Sequence, residues 1–229
     1  MGSLENPSAH RPLLAVPYTV AGHPTHSGLS QLRWLGPNRL VFLAEAVNVV
    51  TPCPACESDT IRTGRNAVWL TTQEGGSSPQ IIPGTTNASG VAPGTGEDEV
   101  YYTIAGDTRV YRQQLSTGQT SVVYDFGVQG VARDVHVVGT RMTAIVGGRV
   151  HFLDDPSLGP TQWDSGGIIH VVGLEDGSDV ALDDPAGLFR RPQLSPDASR
   201  IIAERFQVDL TEQGASVHDN GDLYLFGQP

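Results

Sequence analysis

Lysine is absent from this sequence: all 14 basic residues among the 229 are arginine. That excludes a Walker phosphate loop, a kinase-type catalytic lysine, Schiff-base chemistry and a Ser-Lys hydrolase. Basic charge of any kind is scarce. Against 25 Asp and Glu it leaves a net charge of -11, which speaks against nucleic-acid or anionic-membrane partners, since both require basic surface. Long apolar runs are missing too. Stretches such as Leu40–Ala44 stop far short of the ~20 residues that cross a bilayer, so no direct membrane insertion is expected. The opening Met1-Gly2-Ser3 lacks the charged and apolar regions of a signal peptide, and residues 1–10 read as a tag or a disordered start. No Gly-x-Ser-x-Gly elbow occurs, and Gly94-Thr95-Gly96 runs into Glu97 and Asp98, which repel a phosphate. No motif calls for a cofactor.

What the chain does have is glycine and proline, 27 and 16 residues, enough to punctuate it with turns. Between them lie short β-branched and aromatic runs: Arg39-Leu-Val-Phe-Leu-Ala, Glu99-Val-Tyr-Tyr-Thr-Ile, Arg141-Met-Thr-Ala-Ile-Val and Arg200-Ile-Ile-Ala-Glu. Many short strands and no convincing helix predict an all-β fold. The strands repeat as a group. Gln193-Leu-Ser-Pro-Asp-Ala-Ser-Arg-Ile-Ile-Ala matches Trp34-Leu-Gly-Pro-Asn-Arg-Leu-Val-Phe-Leu-Ala. Looser copies begin at Val137 and Ala92. Each is followed by a third strand, at Ala67, Arg109, Ile168 and Asp222. Three copies add a fourth strand, at Gln80, Thr120 and Asp179.

The Ser195-Pro196-Asp197 turn, followed by Asp222-Leu-Tyr-Leu-Phe as a third strand, resembles the TolB-type, WD-repeat-like β-propeller family. The resemblance extends over roughly residues 25–227 in four copies. It implies four-stranded antiparallel blades in one domain, 11–229, with blades at about 25–86, 87–126, 127–184 and 185–229. Two insertions, 48–66 and 152–166, interrupt the pattern. The last copy lacks its fourth strand. Arg11–Val20 either supplies it and closes the ring or is the remnant of a deleted blade.

The motifs that imitate chemistry are few. Ile145-Val-Gly-Gly and Asp164-Ser-Gly-Gly imitate a trypsin-like protease, but Ile145 is internal and no third partner is in place, so both read as glycine turns. Acidic clusters at Asp154-Asp155, Asp183-Asp184 and Asp219–Asp222 also read as turns, and none forms an EF-hand loop. Cys53-Pro-Ala-Cys56 admits three readings: a loop disulfide, which is favoured and suits an oxidising compartment; free thiols; or zinc with His23 and His26.

The arginines carry the functional expectation. In a propeller the segment leading each innermost strand lies at one mouth of the central channel. Arg33, Arg133 with His136, and Arg190 with Arg191 occupy such segments, and aligning the repeats sets Gln31, Arg133 and Arg190 in one row. Basic groups gathered against the global charge suit an anionic ligand or an acidic partner segment; the alternative is that they pair with acids such as Asp134, Asp183 and Asp184. The expected function is a non-catalytic binding module. It would present its channel mouth to a protein, a peptide or a small anion, and the resemblance implies a bacterial, extracytoplasmic sensor or interaction domain. Two alternatives stand beside it. One is a propeller hydrolase or lyase using His136, His170, Arg133 and Arg190; the other is a structural piece that associates with itself. Monomer and dimer are both open.

Overall fold

The computed structural model describes residues 19–20, 23–24, 29–52, 60–72, 79–148, 150–155, 159–164, 166–182, 188–211 and 214–227. Strands account for nearly all regular structure. A first pair, β1 (Thr19–Val20) and β2 (His23–Pro24), forms a small hairpin. Four antiparallel blades follow. Blade 1 is β3 (Ser30–Leu35), β4 (Arg39–Pro52), β5 (Thr60–Thr72) and β6 (Gln80–Ile81). Blade 2 is β7 (Ala88–Pro93), β8 (Glu99–Ile104), β9 (Arg109–Gln114) and β10 (Thr120–Asp125). Blade 3 is β11 (Ala132–Val138), β12 (Arg141–Val146), β15 (Ile168–Gly173) and β16 (Asp179–Leu182), with the hairpin β13 (Val150–Asp155) and β14 (Gly159–Asp164) inserted as its own sheet. Blade 4 has three strands among the described residues: β17 (Leu188–Leu194), β18 (Ile201–Thr211) and β19 (Gly214–Phe226).

Each blade is a meander in which neighbouring strands in sequence pair in space, and the blades form a β-propeller. The middle strands of the inner blades are buried on both faces, which is why β8 and β12 read as near-continuous apolar runs instead of alternating. Among the described residues, three apolar cores lie between the four blades. Val41, Leu43 and Val68 meet Val91, Val100 and Tyr102 between blades 1 and 2. Tyr101, Val110 and Phe126 meet Val135, Met142 and Val172 between blades 2 and 3. Ile145, Ile169 and Val171 meet Phe189, Leu194 and Ile201 between blades 3 and 4.

The Ser-Pro-Asp motif builds the turn that starts β18. The Ser195 hydroxyl donates to Asp197 at 2.6 Å, and the Ser199 N–H and hydroxyl donate to the same carboxylate oxygen at 3.1 and 2.8 Å. These bonds hold the Asp197 carboxyl down at about 2. The two insertions are β-hairpins: β4 and β5 stay paired out to Pro52 and Thr60, and β13 pairs with β14. A third excursion, not evident in the sequence, extends β18 and β19 through Gln207–Thr211 and Gly214–His218. The acidic clusters depart in part from the turn expectation: Asp219 to Asp222 lie within β19, where Asp222 pairs with Arg205. Asp154 and Asp155 close β13, and residues 183 and 184 lie outside the described residues. Of the segment expected to complete blade 4, Arg11 to Tyr18 lies outside the described residues, and Thr19–Val20 pairs with β2.

Candidate functional site

The innermost strands β3, β7, β11 and β17 neighbour one another in that order. Each carries a one-residue bulge near its start. In three of them a non-glycine residue within the bulge adopts left-handed backbone: Gln31 (φ 51°), Asp134 (φ 49°) and Arg191 (φ 52°). That conformation is uncommon for such residues, and its repetition marks the bulge as a built feature of the inner strands. The register also corrects the expected row. The last paired residues before the bulge are Ser30, Arg133 and Arg190, whereas Gln31 aligns with Asp134 and Arg191. The first paired residues beyond it are Arg33, His136 and Gln193.

The bulge row is a hydrogen-bonded belt across all four blades. The Gln31 amide donates to Asp134 at 2.8 Å and to the Ser89 carbonyl at 3.3 Å, while its oxygen accepts the Val91 N–H at 2.9 Å. The other oxygen of Asp134 accepts the Arg191 N–H at 3.1 Å. Blade 2 comes close enough to join only because Gly90 has no side chain: a Cβ there would lie 2.8 Å from the Asp134 nitrogen. Glu204 on β18 holds two of the predicted arginines, accepting from Arg190 Nε at 3.0 Å and from an Arg191 terminal nitrogen at 2.9 Å. The Arg133 guanidinium donates to the Gly166 carbonyl. Arg33 is half-buried and donates to the Leu32 carbonyl at 3.1 Å. Burial lowers its affinity for the proton, and Asp134 acts in the opposite sense.

His136 accepts the Leu194 N–H on Nδ1 at 3.0 Å. Burial first, and the Arg33 charge second, push it down to about 4, so it is neutral at ordinary pH. With Nδ1 accepting, the single ring proton is on Nε2, which makes His136 a donor beside Arg33. Among the described residues, the bulges and the positions flanking them thus carry Arg33, Arg133, His136, Arg190 and Arg191, with Asp134 in the same row and Glu204 beside Arg190 and Arg191. The acids expected to pair with the arginines were Asp134, Asp183 and Asp184. Asp134 acts on the Arg33 charge and accepts the Arg191 backbone N–H, residues 183 and 184 lie outside the described residues, and Glu204 is the arginine partner the sequence did not single out, since it lies mid-strand with no motif around it. The excursions β4–β5, β13–β14 and β18–β19 all follow the second strand of a blade. In a meander that is the end at which the inner strand begins, so three hairpins rise around this same mouth.

His170 is placed elsewhere. It is buried, 2.8 Å from Asp179 through Nδ1, and covered edge-on by Phe126. Cys53, Cys56 and His26 lie outside the described residues, and the backbone of His23 pairs with Val20. Among the described residues no group of three His, Cys, Asp or Glu is arranged to hold a metal ion. No helix among them is long and apolar enough to cross a membrane.

Fold and mouth together define a β-propeller with a polar, arginine-bearing axial end. A solved structure agrees on the fold. TolB from Acinetobacter baumannii superimposes with a TM-score of 0.52 at 13% identity, over 90% of this chain and 45% of that one. A TolB from Agrobacterium tumefaciens gives 0.48 at 13% identity, over 90% and 84%. An acylaminoacyl peptidase from Pyrococcus horikoshii gives 0.47 at 13%, over 88% and 32%. The chain therefore spans less than half the length of the Acinetobacter TolB, and at this identity the likeness concerns the fold. No family model matches the sequence. No curated protein matches it either.

Proposed function

We propose that the chain is a non-catalytic binding module whose arginine-bearing mouth takes an anionic ligand, either an acidic segment of a protein or peptide or a small anion. One observation supports the reading: Arg33, Arg133, Arg190 and Arg191 stand on or beside the bulges of the inner strands, in a chain whose net charge is -11. Local charge of the opposite sign to the whole concentrates an anion at that mouth, and guanidinium forks match carboxylate geometry. The three surrounding hairpins give an acidic peptide backbone to run along. We place the module outside the cytoplasm, in keeping with a Cys53–Cys56 loop disulfide.

The test is titration of a fluorescent glutamate-rich peptide, and separately of inorganic phosphate, against the purified chain. Binding should weaken at least about tenfold in Arg33→Gln with Arg191→Gln, and should weaken with salt. Peptide and phosphate both failing to bind, or binding equally well to the double variant, sinks the reading.

A further inference from the structure

The belt of Gln31, Asp134 and Arg191 has a second row beneath it. Two residues further along the same inner strands stand Arg33, His136 and Gln193, each the first paired residue beyond its bulge. Gln31 and Asp134 meet at 2.8 Å from equivalent positions on β3 and β11. Both strands carry the same bulge, so Arg33 and His136 follow them at equivalent positions one step deeper. In keeping with that placement, the Arg33 charge acts on His136. Every member of this row can donate a hydrogen bond. The inner strand of blade 2, Ala88–Pro93, adds no acidic side chain to it.

Three donors here are not used by the fold. Arg33 Nε is buried without a partner among the described residues, and the guanidinium spends only a terminal nitrogen, on the Leu32 carbonyl. His136 accepts the Leu194 N–H on Nδ1, which leaves its proton on Nε2. Thr143 is the register partner of His136 on β12 and so stands on the same sheet face. It is fully buried, and its hydroxyl has no partner among the described residues. A buried polar group left unpaired costs stability, and a ligand that pairs with it recovers that cost on binding. The outer arginines differ: Arg133 donates to the Gly166 carbonyl, and Arg190 and Arg191 share Glu204. A group met only by donors is an acceptor, and a planar carboxylate fits the guanidinium edge of Nε and one terminal nitrogen. Asp134 already acts on the Arg33 charge, which favours one negative charge on the ligand over two.

Resting on the anion-binding reading above, we propose that this second row holds the ligand and takes a single carboxylate. Arg33, the His136 Nε2–H and the Thr143 hydroxyl donate to it, while Arg190 and Arg191 shape the rim. The test is NMR titration of the whole chain with sodium acetate, with inorganic phosphate and with the glutamate-rich peptide, at constant ionic strength. The His136 ring resonance, assigned through His136→Gln, should move with acetate and with the peptide if the ligand is a free carboxylate, and with the peptide alone if a protein carries it. Arg33→Gln alone should weaken peptide binding at least about tenfold. Arg191→Gln should change it less than about twofold at this ionic strength. A peptide that binds while His136 stays unmoved overturns the proposal and leaves the anion-binding reading standing. So does binding that falls in Arg191→Gln but holds in Arg33→Gln. Phosphate moving His136 at lower concentration than either carboxylate also overturns it. No binding by any of the three sinks both. Circular dichroism checks each variant. Should Arg33→Gln lose its sheet signal, Thr143→Val, which keeps the shape and removes the hydroxyl, takes its place, with a loss of at least about threefold expected.

Discussion

Asp134 is the pivot of the mouth, accepting from Gln31 on one side and from the Arg191 backbone on the other. Its neighbour in the ring, His136, has a consequence for pH. The unfolded imidazole titrates near 6.5 and the folded one near 4. Between these values the unfolded chain holds more protons, so this group makes stability fall as pH is lowered through that window; above about 6.5 its contribution is flat. A proton NMR titration, with His136→Gln assigning the resonance, should find one imidazole titrating near 4; a midpoint near 6.5 would refute the buried, neutral assignment. Close approach is decisive at the glycines that imitated a protease motif. Gly148 has φ +87°, and an added Cβ would run into the Gly166 carbonyl, while one on Gly166 would lie 2.6 Å from the Phe189 carbonyl. Gly148→Ala should cost about 2–3 kcal/mol in urea unfolding, the range expected for combined backbone strain and overlap. A loss below about 0.5 kcal/mol would show that the site relaxes freely.

At the level of elements, blades 2 and 3 are tied by more than apolar packing. Burial first, and the Asp179 charge on the outer strand of blade 3 second, raise the Tyr124 hydroxyl on the outer strand of blade 2 above its ordinary value. Asp179 also holds the buried His170 at 2.8 Å. Removing the carboxylate leaves the buried His170 without it, and an unpaired buried polar group costs about 1–3 kcal/mol. Asp179→Ala should therefore lower stability by about that much, and Tyr124→Phe, which leaves the His170–Asp179 pair intact, by less than about 0.5 kcal/mol. Equal losses in the two variants would mean that His170 does not depend on Asp179. This pair was visible in the sequence only as an isolated histidine and an acid nine positions later; the hairpin β15–β16 that brings them together is a matter of register.

At the scale of the molecule, the three cores found among the described residues link the four blades in series, each blade stabilised by its neighbours. Blade 4 has one packed face and an exposed one, whereas blades 2 and 3 are packed on both. Hydrogen exchange should therefore find the amides of β18 and β19 opening before those of β12 and β15. Exchange of both sets at one common rate would mean that the four blades unfold as a single unit.

Local patterning carried the architecture. Strand-length apolar runs, the turns at Pro37-Asn38 and Ser195-Pro196-Asp197, and the four-fold recurrence determined an all-β propeller, because strand period and turn chemistry are properties of neighbouring residues. The arginines of the inner strands were legible for the same reason. What only the tertiary structure decided is everything that depends on register. A bulge of one residue set Asp134 and Arg191, instead of Arg133 and Arg190, in the row of Gln31. Register within blade 4 chose Glu204 as the partner of two arginines, and packing between blades made a neutral donor of His136. The stacking of whole blades left Leu223 and Leu225 bare. A one-residue shift moves every side chain of a strand to the opposite face, so the identity of neighbours across the axis follows from the assembled ring and from no single segment of it.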